Sequence, residues 1–235
     1  MSRTTRRCFA LAAAIAVAVT GALSTFSAPS PKIASLFTPE KGRFRIEVNG
    51  QQVGTEQFEI APNGENWVAR GTTEIQAEGG AMKISGTLEL HADGTPERYE
   101  WSTQGPKKAA AAISFNGPTA TIQLRMEGTK PYTQIFTFSS PQIAVLDNNL
   151  YEHYAVLVRL YDWQKKGLQT FSVLVPQQLT PGSVTAESLG GQDVDGKKLE
   201  ELRVKTEDLE LDLYLEGQRL VRIAAPGSKA EIIRE

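Results

Sequence analysis

The chain has 235 residues, 40% hydrophobic and 22% charged, with a formal net charge of −2 and one cysteine, Cys8. A lone cysteine excludes an internal disulfide framework, a thiolate zinc cluster and, beyond residue 8, a cysteine nucleophile. No Lys/Arg cluster stands out after the first seven residues, which argues against nucleic acid or anionic lipid headgroups as partners held by bulk charge.

The N-terminus predicts export. Arg3, Arg6 and Arg7 make a positive head, and Phe9 to Leu23 follow as an uncharged apolar run. That run falls short of the roughly 20 residues a membrane span needs. Head, short apolar middle and small residues after it form a secretory signal peptide over 1–24, with cleavage after Ser24 favoured and any point from Ala22 to Ala28 open. A retained anchor helix is the alternative. Thr5-Arg6-Arg7-Cys8-Phe9 also fits a twin-arginine signal, so the export route stays open. Cys8 precedes the apolar run, where a lipobox cysteine would follow it. Without the three arginines the balance is 22 basic against 27 acidic residues, or −5. No second long apolar stretch occurs, so the mature chain is expected to lack a transmembrane segment and to be periplasmic or secreted.

Residues 25–40, rich in Ser, Pro and Ala, read as a flexible tether, and 41–235 as one β-rich domain. From Lys41 on, apolar and polar residues alternate: Phe44-Ile46-Val48, Leu88-Leu90, Tyr99-Trp101, Ile122-Leu124-Met126 and Leu209-Leu211-Leu213-Leu215. Period two places each apolar set on one face of an antiparallel sheet. Asn49-Gly50, Asn63-Gly64, Asp93-Gly94, Asn116-Gly117 and Asp195-Gly196 supply residues that tolerate the positive φ of tight hairpin turns. The apolar parity switches between Val53 and Phe58, predicting a bulge at Gly54.

One segment departs from this texture. Asp147-Asn148 offers a cap, and Leu150, Tyr154, Leu157, Val158 and Tyr161 share one face of a helix over 149–166, with Glu152 and Arg159 opposite. Lys165-Lys166 and Gly167 close it. Strands resume at Leu168–Val175, Val184–Leu189, Leu199–Lys205, Leu209–Leu215, Leu220–Ala225 and Ala230–Ile233. The fold class is therefore mainly β: a curled antiparallel sheet or half-barrel of about a dozen strands with one substantial helix packed on it.

Chemical motifs are sparse. GxSxG, HExxH, P-loop and GxGxxG patterns are absent. The two histidines, His91 and His153, lack ligand spacing, so no metal and no cofactor is expected. Parity puts His91 on a wet strand face. His153 lies at the edge of the helix's apolar face, either as a hydrogen-bonded boundary residue or as a general base with Asp147 or Asp162. Asp193-Val194-Asp195-Gly196 reads as a hairpin turn in preference to a calcium loop. Tyr151, His153, Tyr154, Tyr161 and Trp163 crowd the helix, either as core or as the wall of a pocket.

Phe44 to Gly54 resembles the opening hairpin, and Tyr214 to Ile223 the closing hairpin, of a family of uncharacterised bacterial periplasmic proteins. That family is similar in layout to the lipoprotein-carrier half-barrel. The resemblance implies a helix-covered curled sheet over most of Lys41 to Glu235, and it transfers no functional residue.

These readings lead to a non-enzymatic periplasmic binding or carrier protein for an amphiphilic or lipid-like ligand. The cavity-lining candidates are Tyr99, Trp101, Leu150, Tyr154, Leu157 and Tyr161, and no catalytic residue is assigned. An envelope structural or protein-interaction module, with an envelope protein as partner, is the alternative. A secreted hydrolase using His153 with Asp147 or Asp162 is the second.

Overall fold

Alternation becomes strands in a computed structural model that describes residues 35–77 and 79–235. The expected signal peptide and most of the expected tether lie outside the described residues. The first meander is β1 (Glu40–Val48), β2 (Gln51–Asn63), β3 (Asn66–Ala77), β4 (Gly80–Leu90), β5 (Pro96–Gln104), β6 (Ala109–Asn116), β7 (Thr119–Met126) and β8 (Tyr132–Thr137). After β9 (Ile143–Val145) and helix α1 (Glu152–Leu160), the second is β10 (Gln169–Val175), β11 (Thr180–Val194), β12 (Lys197–Lys205), β13 (Glu210–Glu216), β14 (Arg219–Ala225) and β15 (Ala230–Arg234). All fifteen strands form one open, curled sheet in the order β8-β7-β6-β5-β4-β3-β2-β1-β15-β14-β13-β12-β11-β10-β9. Every neighbouring pair is antiparallel except β9 with β10, which are parallel and joined through α1, the connection a parallel pair requires.

The strand count exceeds the dozen expected. β8 and β9 were not anticipated, because β8 is largely exposed and does not alternate cleanly, while β9 is only three residues and apolar throughout. The expected turn chemistry is complete at two of the five dipeptides, and at Asn63-Gly64, Asp93-Gly94 and Asn116-Gly117 only the glycine takes positive φ. Asn49 and Gly50 have φ of 52° and 75°, and Asp195 and Gly196 have 53° and 76°, the double positive values of a type I′ hairpin. The bulge falls where parity switched: Ile46 faces Gly54 and Glu47 faces Gln52, leaving Val53 extra.

The curl brings β9, at one edge, against β5 near the other. Helix α1 fills the concavity and touches β3 and β14, one strand from each meander. Its extent corrects the expected 149–166. Asn149 sits at φ 58° and Tyr161 is extended, so the helix has nine residues. Downstream, Asp162 caps a separate turn by accepting the Gln164 and Lys165 N–H groups, and Lys166 and Gly167 both take positive φ. The expected polar back face is also corrected. Glu152, His153, Ala155, Val156, Leu157, Val158 and Arg159 are all buried. Such a helix is a plug, enclosed except at Tyr154 and Leu160, and not an amphipathic cover.

The core runs along the concave face: Phe44, Phe58, Ile60, Ile84, Leu88, Tyr99, Ile113 and Ile122 from the first meander, Leu202, Leu213, Leu220 and Ile223 from the second. Phe44 and Phe58 stack at 4.9 Å. Just ahead of β1, Phe37 packs against Trp67 with ring centroids 5.7 Å apart. No helix among the described residues is long and apolar enough to cross a membrane.

Candidate functional site: a buried polar cluster beside an open cleft

A strand's inward positions are normally apolar, yet β2 places Glu56 on the same face as Phe58 and Ile60, completely buried. Its position is explained by the helix. The N-terminal residue Tyr151 makes no side-chain cap, and Glu56 supplies the missing acceptor: Oε2 takes the Tyr151 N–H at 2.9 Å and Oε1 the Glu152 N–H at 3.1 Å. A carboxylate from a distant strand thus satisfies donors that α-helices leave open, at the positive end of the dipole. From β3, the Thr73 hydroxyl donates to the Asn149 carbonyl at 2.6 Å and holds the preceding turn.

Glu152 follows directly and is equally buried. Its carboxyl lies over Gly71 of β3, where a Cβ would stand 2.3 Å from Oε1. Burial first, and then the neighbouring Glu56 charge, raises its pKa well above the carboxylate range. Glu56 is raised too, by burial, although the Tyr151 and Glu152 N–H groups it accepts pull the other way, while neither Glu152 carboxyl oxygen has a hydrogen-bond partner. Of the two, Glu152 is the more strongly raised, and Glu56, which accepts both N–H groups, is the better placed to carry the charge.

His153 completes the cluster. Nδ1 accepts the Asp147 N–H at 3.0 Å, which leaves the proton of the neutral ring on Nε2, 3.7 Å from Glu152 Oε1. Burial pushes this imidazole down to about 3. Asp147 holds its carboxylate elsewhere: Tyr99 Oη donates at 2.9 Å, the Gln177 N–H at 2.9 Å and the Asn148 N–H at 3.1 Å. Burial outweighs these bonds and brings the group up to about 6.

At the other end of α1, Arg159 and Arg234 both pair with Glu40 in a second buried ionic group. Arg234 also donates to the Lys41 carbonyl at 2.8 Å and lies over the Phe58 ring at 5.0 Å. The helix is thus tied by charge to β2 at its start and to β1 and β15 at its end.

Asp147 and Tyr151 are also where the interior meets solvent. Beside them opens a cleft of ≈ 1000 Å³. Val173, Val184, Val204 and Leu211 of β10 to β13, themselves buried members of the core, form its floor, and Leu146, Tyr151 and Tyr154 line the helix side. Polar lining comes from Asn148, Asn149, Gln177, Gln178, Thr206, Glu207 and Asp208, and no Lys, Arg or His contributes to it. Its volume lies at the upper end of small-molecule sites. An apolar strand surface beside an uncharged or acidic rim can take an apolar chain with a neutral or cationic head.

Of the six cavity candidates, Tyr154 lines this cleft. Tyr99, Trp101, Leu150, Leu157 and Tyr161 are core residues buried on the concave side. Tyr161 is a brace there, donating to the Gly167 carbonyl at 2.7 Å and accepting the Ser188 N–H at 3.1 Å. His91 is exposed beside Asn66. In the Asp193–Gly196 segment, Gly196 N–H bonds Asp193 Oδ1 in the hairpin between β11 and β12. Glu56, Thr73, Gly71 and the Glu40–Arg234 pair were not among the expected site residues. One signal for Glu56 stood in the sequence, a carboxylate on the apolar parity of its strand.

No family model and no curated protein matches the chain. Among solved structures, it is similar to the crystal structure of a DUF1089 family protein from Pseudomonas aeruginosa. The TM-score is 0.46 at 10% identity, over 74% of this chain and 90% of that one.

Proposed function

We propose that the chain is an exported, non-enzymatic binding or carrier module whose cleft between α1 and strands β10 to β13 seats an amphiphile. The observation that carries this reading is the cleft's composition: Val173, Val184, Val204 and Leu211 beside a rim of amides, hydroxyls and carboxylates. Burial of apolar area at about 25 cal/mol per Å² supplies affinity, so a chain segment covering roughly 200 Å² gains on the order of 5 kcal/mol. The rim selects the head. With Glu207 and Asp208 present and no cation, it disfavours anionic heads and suits neutral or cationic ones.

Catalysis by His153 lacks support in the geometry. Its ring is buried and its Nδ1 is committed to a backbone N–H. The Asp147 carboxylate is bonded to Tyr99, Asn148 and Gln177, and that of Asp162 to two N–H groups in its own turn.

Native mass spectrometry of the protein recovered from its host's periplasm tests both parts of the proposal. The chain should lack residues 1–24 and carry a co-purifying amphiphile, and the delipidated protein should bind a fluorescent acyl probe. Val184→Trp, which fills the strand side of the cleft, should weaken that probe at least about tenfold, the equivalent of about 1.4 kcal/mol. Absence of both ligand and probe binding, or equal binding by the filled variant, would refute the assignment.

A further inference from the structure

The two edges of the sheet differ. β9 is buried along its whole length, covered by β5. Beyond β8, no strand lies among the described residues. Phe138 N–H donates to the Pro118 carbonyl at 2.8 Å, and the register continues as Thr137 with Thr119, Phe136 with Ala120 and so on to Tyr132 with Leu124. In an antiparallel ladder both backbone groups of a residue point to the same side, and the side alternates along the strand. The even-numbered residues therefore spend their N–H and C=O groups on β7, and Thr133, Ile135 and Thr137 present theirs to the open edge. The Ile135 carbonyl meets only the Gln134 side-chain amide, at 3.3 Å.

Such an edge is normally blunted by lysine, proline or an inward charge. β8 reads Tyr-Thr-Gln-Ile-Phe-Thr, without any of these. Ile135 is 58% exposed and Tyr132 48%. The three outward-facing residues are also spaced symmetrically about Ile135. Rotated by two-fold symmetry, Ile135 faces Ile135 of the second copy, and Thr133 faces Thr137 in both directions. All three are hydrogen-bonding positions, so the match forms a ladder of six backbone hydrogen bonds with no shift of register. It sets the exposed isoleucines side by side on the convex face and Tyr132 opposite Phe138 of the second copy on the concave one. With no charge on the strand, nothing repels a copy and nothing selects a charged partner.

From this geometry we infer that β8 is a self-association edge, joining two copies of the chain into a C2 dimer by antiparallel pairing centred on Ile135.

Cysteine crosslinking on the full chain carrying Cys8→Ser tests the register. Ile135→Cys puts two sulfurs across a hydrogen-bonded pair about 5.5 Å apart at Cα, within disulfide reach. Thr133→Cys stands four residues, roughly 13 Å, from its own copy and out of reach. Mild oxidation should convert the first to a covalent dimer and leave the second monomeric. In sedimentation equilibrium the parent should be dimeric. Ile135→Pro, which removes an outward N–H and spares the β7 ladder, should be monomeric and folded, with a melting temperature that, unlike the parent's, does not vary with protein concentration. If that variant fails to fold, the cysteine pair alone decides. A parent that remains monomeric up to its solubility limit, or Thr133→Cys crosslinking as fast as Ile135→Cys, overturns the inference.

Discussion

Asp147 and His153 are joined by one hydrogen bond and respond to pH in opposite senses. Asp147 is raised from 3.8 to about 6, so its contribution to stability is complete below about pH 3.8 and is lost as pH rises through 6. His153 is lowered from 6.5 to about 3, so its contribution is complete above 6.5 and is lost as pH falls toward 3. The two are on the order of 3 and 5 kcal/mol and offset each other between pH 4 and 6. Relative to wild type, Asp147→Asn should therefore gain melting temperature as pH rises from 4 to 6.5, and His153→Gln should lose it. Thermal scans at several pH values measure both differences, and two curves parallel to wild type would contradict the assignment. Glu152 and Glu56, both raised, work in the same direction as Asp147. At Gly71 the constraint is space. Gly71→Ala should cost about 2 kcal/mol by crowding the Glu152 carboxyl. Combined with Glu152→Ala, it should cost little beyond the second change alone, and a denaturant double-mutant cycle reads that coupling.

Helix α1 is short, and its stability lies in its partners. Nine residues are too few for a helix that stands alone in water, and this one lacks its own cap. Glu56 provides the cap from β2, so strand and helix stabilise each other. Glu56→Ala should destabilise the protein by about 2–4 kcal/mol, because two buried N–H groups lose a charged acceptor. Denaturation with wild-type cleft binding measured alongside separates the global loss from a local one. The helix's position along the chain could be read from the spacing of Leu150, Tyr154 and Leu157. Its ends could not. Asp147 and Asn148 look like caps, but Asp147 is drawn away by Tyr99 and Gln177, residues 48 and 30 positions distant. Long-range bonds of that kind leave no local mark. Glu56 was legible only as an oddity, a charge where Phe58 and Ile60 predict an apolar residue, and its purpose emerges only once the helix is seen above it.

At the scale of the whole sheet, the hairpin dipeptides and period-two runs carried the meander, its antiparallel sense and the bulge beside Gly54. Strand order beyond hairpin neighbours was invisible, because pairing of β1 with β15 depends on no local pattern. The cleft was hidden for the same reason. Its floor draws on four strands that alternate like any others, and Val173 and Leu211 belong to the core and border the cleft at once, which no sequence pattern marks.

That β1–β15 seam has a consequence for how the molecule comes into being. The first and last strands of the domain meet at the middle of the sheet, through Phe44–Val48 and Ala230–Arg234. Each meander can zip up locally, but the join must wait until β15 is available to β1, and contacts of such separation form slowly. Until then β1 and β14 present raw borders. A chain ending at Ser228 should yield two unjoined halves that aggregate, visible as light scattering on refolding, whereas the intact chain refolds clear.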